Sequence, residues 1–110
     1  MSELITKEEA FNALAAAGRP LAILFYSAWC PFCTDFLPVF EKHAAAAPEN
    51  FRRALTDDMP GIEDRYAIEV VPTVLFFKGG KVAGRLDGVL AAGLSEPSLA
   101  KFLKACGLAG

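Results

Sequence analysis

The sequence predicts an α/β domain in which helices cover a mixed β-sheet, and three observations lead to this prediction. A short, continuously apolar run over residues 21–26 is typical of a central strand that is buried on both faces. A helical pattern and a second strand-like run follow it, and this succession favours a right-handed parallel crossover. Further on, Gly79-Gly80 separates two strand-like runs and predicts an antiparallel hairpin.

The composition fits one domain over residues 1–110. Hydrophobic residues make up 54% of the chain and include nine Phe, which is enough for a core without disulfide staples. The formal charge of −2 and the lack of a basic stripe argue against nucleic acid as a partner. The chain shows no basic leader with an apolar core and no run of about 18 apolar residues. We therefore expect a cytoplasmic monomer that does not associate with membranes.

The first half of the chain has the pattern of a helix, a strand and a second helix. Thr6 and Glu9 fit a capping box that begins a helix over about residues 7–17. The apolar strand over residues 21–26 comes next. Apolar residues then recur at helical spacing, which predicts an amphipathic helix over about residues 31–48.

The next segment has the pattern of a strand, a short helix and the first strand of the hairpin. Residues 51–56 can form a strand parallel to the first. Asp57 or Asp58 can cap a short helix that begins at about residue 60. Residues 70–77 are the most strand-like run of the chain.

The hairpin and a last helix complete the predicted domain. Residues 81–86 return antiparallel from the glycine turn. Ser95 can cap the last helix, and Gly107 can end it. Cys106 lies on the apolar stripe of this helix, which indicates a small buried hydrophobic residue rather than a regulatory thiol.

Cys30 and Cys33 follow the apolar strand directly, at the beginning of the second helix. Their spacing fits either a redox pair or half of a zinc site. Free amides and the dipole at a helix N-terminus favour a thiolate, so we predict that Cys30 is the nucleophile and that Cys33 resolves the mixed disulfide. A zinc site would need His43 and Cys106, and His43 lies about 15 Å along the helix. We therefore predict redox chemistry without a metal or another cofactor, against the alternatives of zinc or an inert pair.

With these residues identified, the sequence resembles the thioredoxin family over nearly its whole length. The matching segments, in chain order, are Trp29-Cys30-Pro31-Phe32-Cys33, Pro38 in the helix, Val71-Pro72-Thr73 at the position of the family's cis-proline, Phe77–Val82, Gly88 and Leu94-Ser95. The resemblance implies a thioredoxin fold with a central sheet flanked by helices on both faces. It also implies a cis bond before Pro72 and dithiol–disulfide exchange with protein substrates.

The resemblance further implies a protein-disulfide oxidoreductase that acts in electron transport and cell redox homeostasis. We expect it to be a reductant that an upstream disulfide reductase recharges. Five residues would bind substrate by forming an apolar rim that receives an extended segment of the substrate. They are Trp29, Pro31, Phe32, Val71 and Pro72. The alternative for Phe32 is a contact inside the core.

The chain departs from the family pattern at two places. Leu24 stands six residues before Cys30, where thioredoxins carry a buried acid, so we expect Arg53, near the family's accompanying lysine, to lack its partner. Pro31-Phe32 replaces Gly-Pro and is more similar to the Pro-Tyr of glutaredoxins. Glutaredoxin-like, oxidase or isomerase activity, and a binding module without turnover, therefore remain alternative functions.

Overall fold

The computed structural model describes residues 1–108, which contain one mixed sheet of five strands flanked by helices. The bounds are β1 Glu3–Ile5, α1 Glu8–Ala16, β2 Leu21–Tyr26, α2 Pro31–Ala44, β3 Phe51–Leu55, α3 Pro60–Arg65, β4 Thr73–Lys78, β5 Lys81–Leu86 and α4 Glu96–Ala105. The strand order is β1-β3-β2-β4-β5. β2 is parallel to β3 and antiparallel to β4, and β4 is antiparallel to β5. These pairings confirm that β2 and β3 are parallel and that β4 and β5 form an antiparallel hairpin.

Alternate side chains of β2 pack into two hydrophobic cores, one on each face of the sheet. Phe25 belongs to the core beneath α1 and α3, where its ring meets that of Phe11 at a centroid distance of 5.6 Å. Leu24 belongs to the core beneath α2 and α4, together with Phe36 and Leu99. The predicted central strand, buried on both faces, is confirmed because all of these side chains are almost completely buried. The helices therefore flank both faces of the sheet, as the resemblance implies.

The first elements differ from the prediction in two ways. β1 was not predicted, and its three residues pair in parallel with β3 at the edge of the sheet. The capping box at Thr6 is wrong, because the N-cap of α1 is Lys7 and its side chain makes no capping hydrogen bond. Glu8 and Glu9 instead place negative charge in the first turn, where it interacts favourably with the helix dipole.

The cap of α3 and the beginning of β4 also differ from the prediction. α3 follows Met59 at its N-cap and has no side-chain cap, since the carboxylate of Asp57 binds another segment, Ser27-Ala28. β4 begins at Thr73 rather than at residue 70, because the Thr73 hydroxyl donates to the carbonyl of Val70 at 2.6 Å and the chain turns there.

The last helix has its predicted ends. Ser95 accepts a hydrogen bond from the N–H of Ser98, and Gly107 follows the helix with φ +76°. Cys106 is half-buried at the C-cap rather than fully buried, and desolvation raises the pKa of its thiol. Within residues 1–108, no helix has the length and apolar composition that a membrane crossing requires.

Candidate active site

Cys30 is held at the N-terminus of α2 by the end of a buried strand. β2 ends at Tyr26, and α2 begins at Pro31, which has no N–H and therefore loses nothing in the first turn. Cys30 is the N-cap residue, and its sulfur accepts the backbone N–H of Cys33 at 3.4 Å. One amide of the helix end thus points at this sulfur, which is the placement that stabilises negative charge there.

The Cys30 sulfur also faces the loop that precedes β4. Its thiol donates to the carbonyl oxygen of Val71 at 3.6 Å, and the Val71–Pro72 bond is cis, as the resemblance implies. The structure therefore brings three of the predicted site residues together across 41 positions of sequence.

Cys33 lies inside the protein and is only 1% exposed. Burial raises the pKa of its thiol to about 12, and the neighbouring Cys30 and Asp57 add to this increase, while a hydrogen bond from the Ser27 backbone opposes it. Cys33 is therefore a protonated thiol at neutral pH in the reduced protein. A buried thiol next to a half-exposed one fits the pairing of a resolving cysteine with an attacking cysteine.

The predicted substrate-binding residues form a surface that is only partly open. Trp29 is 89% exposed, and Pro31 and Phe32 are also exposed. Phe32, at 38% exposure, thus belongs to the rim rather than to the core. Val71 is half-buried, and Pro72 is buried, so its ring is not open to solvent in this structure.

A loop that the sequence analysis did not identify extends this apolar rim. Val89 and Gly93 exchange backbone hydrogen bonds of 3.0 and 2.7 Å and close a small loop, in which Val89 and Leu90 are exposed. A Cβ on Gly93 would lie 2.9 Å from the Cβ of Phe32, so the loop packs directly against that residue. Two exposed apolar residues between glycines were the only sequence signal for this loop.

Backbone and side-chain contacts hold the cis-proline loop on its far side. The N–H of Gly88 donates to the Thr73 hydroxyl at 3.1 Å, and no side chain fits at residue 88 because its Cβ would lie 2.3 Å from the Pro72 carbonyl oxygen. Arg85 donates to the carbonyls of Tyr66 and Ala67 at 3.0 and 3.2 Å. These contacts connect β5 and the residues after it with the segment that follows α3 and with the beginning of β4.

The region beneath the site contains an ion pair in an unexpected place. Leu24 is fully buried and lies opposite Arg53 in the register of β2 and β3. The expectation that Arg53 lacks a partner is wrong, because its guanidinium lies 3.6 Å from the Glu41 carboxylate of α2 and donates twice to the Ser2 carbonyl. The N–H of Ser2 donates to Glu41 at 2.6 Å. This cluster joins Ser2, the residue before β1, with β3 and α2.

No metal centre is formed by the part of the chain that the structure describes. Within residues 1–108, no three His, Cys, Asp or Glu side chains lie close enough together to hold an ion. His43 is in the last turn of α2, whereas both cysteines of the pair are at its beginning. Cys30 and Cys33 are free thiols in this structure.

Comparison with known proteins gives a consistent result over almost the whole chain. The family model described as Thioredoxin matches residues 2–105. A thioredoxin-like protein of Synechocystis is 31% identical over 81 residues, which cover 72% of this chain and 77% of that protein. Chloroplastic Thioredoxin M4 of Arabidopsis thaliana is 31% identical over 86 residues, which cover 76% of this chain. The match covers 45% of that relative, so this chain spans about half its length.

A solved structure supports the same fold. Oxidised mitochondrial Thioredoxin 3 of Saccharomyces cerevisiae superposes with a TM-score of 0.79 at 26% sequence identity. The superposition covers 94% of each chain. The five-stranded mixed sheet, the helices on both faces and the Cys-x-x-Cys spacing all agree with these relatives.

Proposed function

Because the chain belongs to the thioredoxin family of thiol–disulfide oxidoreductases, we propose that it reduces disulfide bonds in protein substrates. The observation that carries this proposal is the position of the Cys30 sulfur, between the first turn of α2 and the carbonyl of Val71. There the sulfur is stabilised by an amide and is half-exposed, beside a loop that an extended substrate segment can follow.

The reaction consists of two thiol–disulfide exchanges. The Cys30 thiolate attacks one sulfur of the substrate disulfide, forms a mixed disulfide and expels the other substrate sulfur as a thiolate, which takes a proton from water. Cys33 then loses its proton and attacks the Cys30 sulfur, so the Cys30–Cys33 bond forms and the second substrate thiolate leaves. The substrate gains two electrons and the chain loses two. An upstream dithiol reductase returns them.

Substrate binding is assigned in this proposal to the apolar rim. Trp29, Pro31 and Phe32 offer exposed apolar surface beside Cys30, and Val71-Pro72 borders the sulfur from the other side. Such a surface favours an extended, partly unfolded segment that presents its disulfide, because apolar contact adds to binding without requiring a particular sequence.

Replacement of the proposed nucleophile tests the mechanism. Cys30→Ser should abolish the reduction of insulin disulfides by dithiothreitol, measured by turbidity, because serine cannot form the mixed disulfide. Cys106→Ser is the matched control and should retain full activity, since Cys106 lies at the C-cap of α4, outside the site. Normal turnover by Cys30→Ser would contradict the assignment.

Leu24 favours a second candidate activity, the oxidation or isomerisation of substrate disulfides, because it leaves no acid in β2 to help Cys33 ionise. Reduction potentials of dithiol proteins range from about −270 mV for thioredoxin to about −120 mV for strong oxidants, a span of about 7 kcal/mol. Equilibration of the Cys30/Cys33 pair with graded dithiol buffers therefore decides the direction. A value near the lower limit supports reduction, and one near the upper limit supports oxidation.

We also propose a cytoplasmic location and a monomeric state. The location is supported by cysteine usage, since three cysteines are too few, and odd in number, for a secreted scaffold that is stapled by disulfides. Several relatives, Thioredoxin M4 among them, are named as chloroplastic, which makes an organelle the competing location. Imaging of the tagged protein in its own cells tests the location, and light scattering during size-exclusion chromatography tests the monomer.

A further inference from the structure

The loop of residues 88–93, between β5 and α4, is fixed at both ends against residues of the site. At the first position a Cβ would lie 2.3 Å from the carbonyl oxygen of Pro72, so Gly88 packs directly against the cis-proline. At the last position a Cβ would lie 2.9 Å from the Cβ of Phe32, so Gly93 packs against the dipeptide between the cysteines. Both ends of the loop therefore contact residues that were assigned to substrate binding.

These two contacts lie on different walls of the cleft at Cys30. Pro72 follows Val71, whose carbonyl oxygen accepts the Cys30 thiol at 3.6 Å. Phe32 belongs to the first turn of α2, which begins directly after Cys30. The loop thus connects one wall with the other and borders the cleft that a substrate disulfide must enter.

The middle of the loop is a tight turn with a strained tip. The N–H groups of Ala92 and Gly93 both donate to the Val89 carbonyl, at 3.0 and 2.7 Å, and the N–H of Val89 donates to the Gly93 carbonyl at 3.0 Å. Leu90 and Ala91 form the tip, where Ala91 has φ +62°, a left-handed conformation that is unfavourable for a residue with a Cβ. Strained backbone that neighbouring contacts hold in place is found mainly at functional sites. The turn therefore presents Leu90 in a fixed position.

The surface that this turn adds to the cleft is apolar and carries no charge. Leu90 is 81% exposed and Val89 is 59% exposed, next to the exposed ring of Phe32. No Asp, Glu, Lys or Arg occurs in residues 29–33 or 88–95. Single exposed apolar residues are ordinary, but two at the tip of a fixed turn beside an exposed aromatic ring favour an apolar partner over a charged one.

We propose that Leu90 is a specificity-determining residue, which together with Val89 and Phe32 contacts a large apolar side chain beside the substrate's cysteine. This inference rests on the proposed function and names its substrate class, namely disulfides that are flanked by large apolar residues. The contact removes apolar surface of both partners from water. Because it is present while Cys30 attacks, it raises the rate constant of the first exchange.

The expected size of the preference follows from the openness of this surface. In an enclosed pocket, one methylene group changes kcat/KM by about tenfold or more. The tip of a turn covers only one side of a leucine side chain, so the gain per methylene group is much smaller. We expect leucine beside the substrate's cysteine to react about three- to tenfold faster than serine at the same position.

Two symmetric peptide disulfides test the inference, identical except for leucine or serine on both sides of the cysteine. Reduced protein converts each peptide disulfide to two thiols while Cys30 and Cys33 form their own disulfide, and acid quenching followed by chromatography gives the rate constant. Division by the rate constant with dithiothreitol removes differences in intrinsic reactivity. Leu90→Ser should remove most of the preference for the leucine peptide and leave the serine peptide unchanged. Leu90→Met should retain the preference.

Leu4→Ser is the matched control, since Leu4 is an exposed leucine in β1, at the opposite edge of the sheet from β5, and its replacement should leave the preference unchanged. Circular dichroism should show that Leu90→Ser is folded, because that side chain lies in solvent. An unchanged preference in Leu90→Ser would overturn the inference. Equal slowing of both peptides would also overturn it, because the loop would then act on the cysteines and not on selection.

The same assay distinguishes two other results. A preference that disappears as the protein concentration rises would show that a second copy of this chain covers the loop, and the inference would be wrong. If wild-type protein reduced both peptides at equal corrected rates, only this inference would fail. If it reduced neither peptide, the proposed function itself would fail.

Discussion

Replacement of Gly88 by alanine should displace the wall of the active-site cleft. The new Cβ would lie 2.3 Å from the Pro72 carbonyl oxygen and 3.2 Å from a methyl carbon of Val70. The nearer contact is with backbone, so no rotation of a side chain can relieve it. The Gly88 N–H also donates to the Thr73 hydroxyl, and this hydrogen bond must lengthen as residue 88 moves.

The expected magnitude is the sum of these two effects. Overpacking in a well-filled region costs about 1–3 kcal/mol, and the weakened hydrogen bond costs about 0.5–1.5 kcal/mol. We expect the free energy of unfolding to fall by about 1.5–4.5 kcal/mol. Because a displacement of about 1 Å at a reacting centre can cost up to a hundredfold in rate, kcat/KM for insulin should fall at least about tenfold.

Urea unfolding followed by far-UV circular dichroism measures the stability, since the single tryptophan, Trp29, is exposed and reports poorly on the core. Gly79→Ala is the matched control. Gly79 has φ +63° in the hairpin turn with open space around it, so alanine there adds strain of about 1–2 kcal/mol away from the cysteines. That variant should lose stability and keep its activity. Unchanged stability and activity in Gly88→Ala would refute the steric argument. If Gly79→Ala lost as much activity as Gly88→Ala, the loss of activity would be a consequence of lower stability and not of a displaced cleft wall.

Two further predictions concern buried groups. Glu41→Gln should lower the free energy of unfolding by about 1.5–3 kcal/mol, because its largely buried carboxylate binds Arg53 and the N–H of Ser2. Glu96→Gln, which breaks an exposed ion pair, should lower the free energy of unfolding by less than about 1 kcal/mol. If urea unfolding gave similar losses for Glu41→Gln and Glu96→Gln, the argument from their different burial would be wrong. The pKa of the Cys33 thiol is 9.0 in the unfolded chain and about 12 in the folded protein. Between these two pH values the folded state retains the thiol proton that the unfolded state loses. Reduced protein should therefore lose stability relative to Cys33→Ala as the pH rises through this range. The slope should be about 1.4 kcal/mol per pH unit, and parallel stability curves at about pH 8 and pH 10 would refute it.

The elements that the sequence predicted well are those with one clear period. β2 is a continuous apolar run, and α2 carries a helical stripe, so local pattern was sufficient for both. β1 was missed because three residues carry too little pattern, and its strand character comes from pairing with β3. The caps at Thr6 and Asp57 were wrong because a side-chain oxygen accepts from whichever donor the fold brings near, and its sequence neighbours do not decide that.

In the candidate site, too, the local features could be predicted from the sequence and the long-range contacts could not. The placement of Cys30 at a helix N-terminus followed from the strand–helix boundary, which is local. The groups that contact the Cys30 sulfur and the turn before it come from distant positions, as with the Val71 carbonyl, 41 residues from Cys30, and Asp57, 30 residues from Ser27. The cis bond before Pro72 came from the resemblance, because most X–Pro bonds in folded proteins are trans.

The packing of Gly93 against Phe32 decides how this site can be engineered. The dipeptide between the cysteines supports the loop that exposes Val89 and Leu90, so an exchange of Pro31-Phe32 would alter the first turn of α2 beside Cys30 and the apolar rim together. A shift in substrate preference after such an exchange would report on both changes. The transferable unit for grafting onto another scaffold is therefore the dipeptide together with residues 88–93, which preserves their mutual contact.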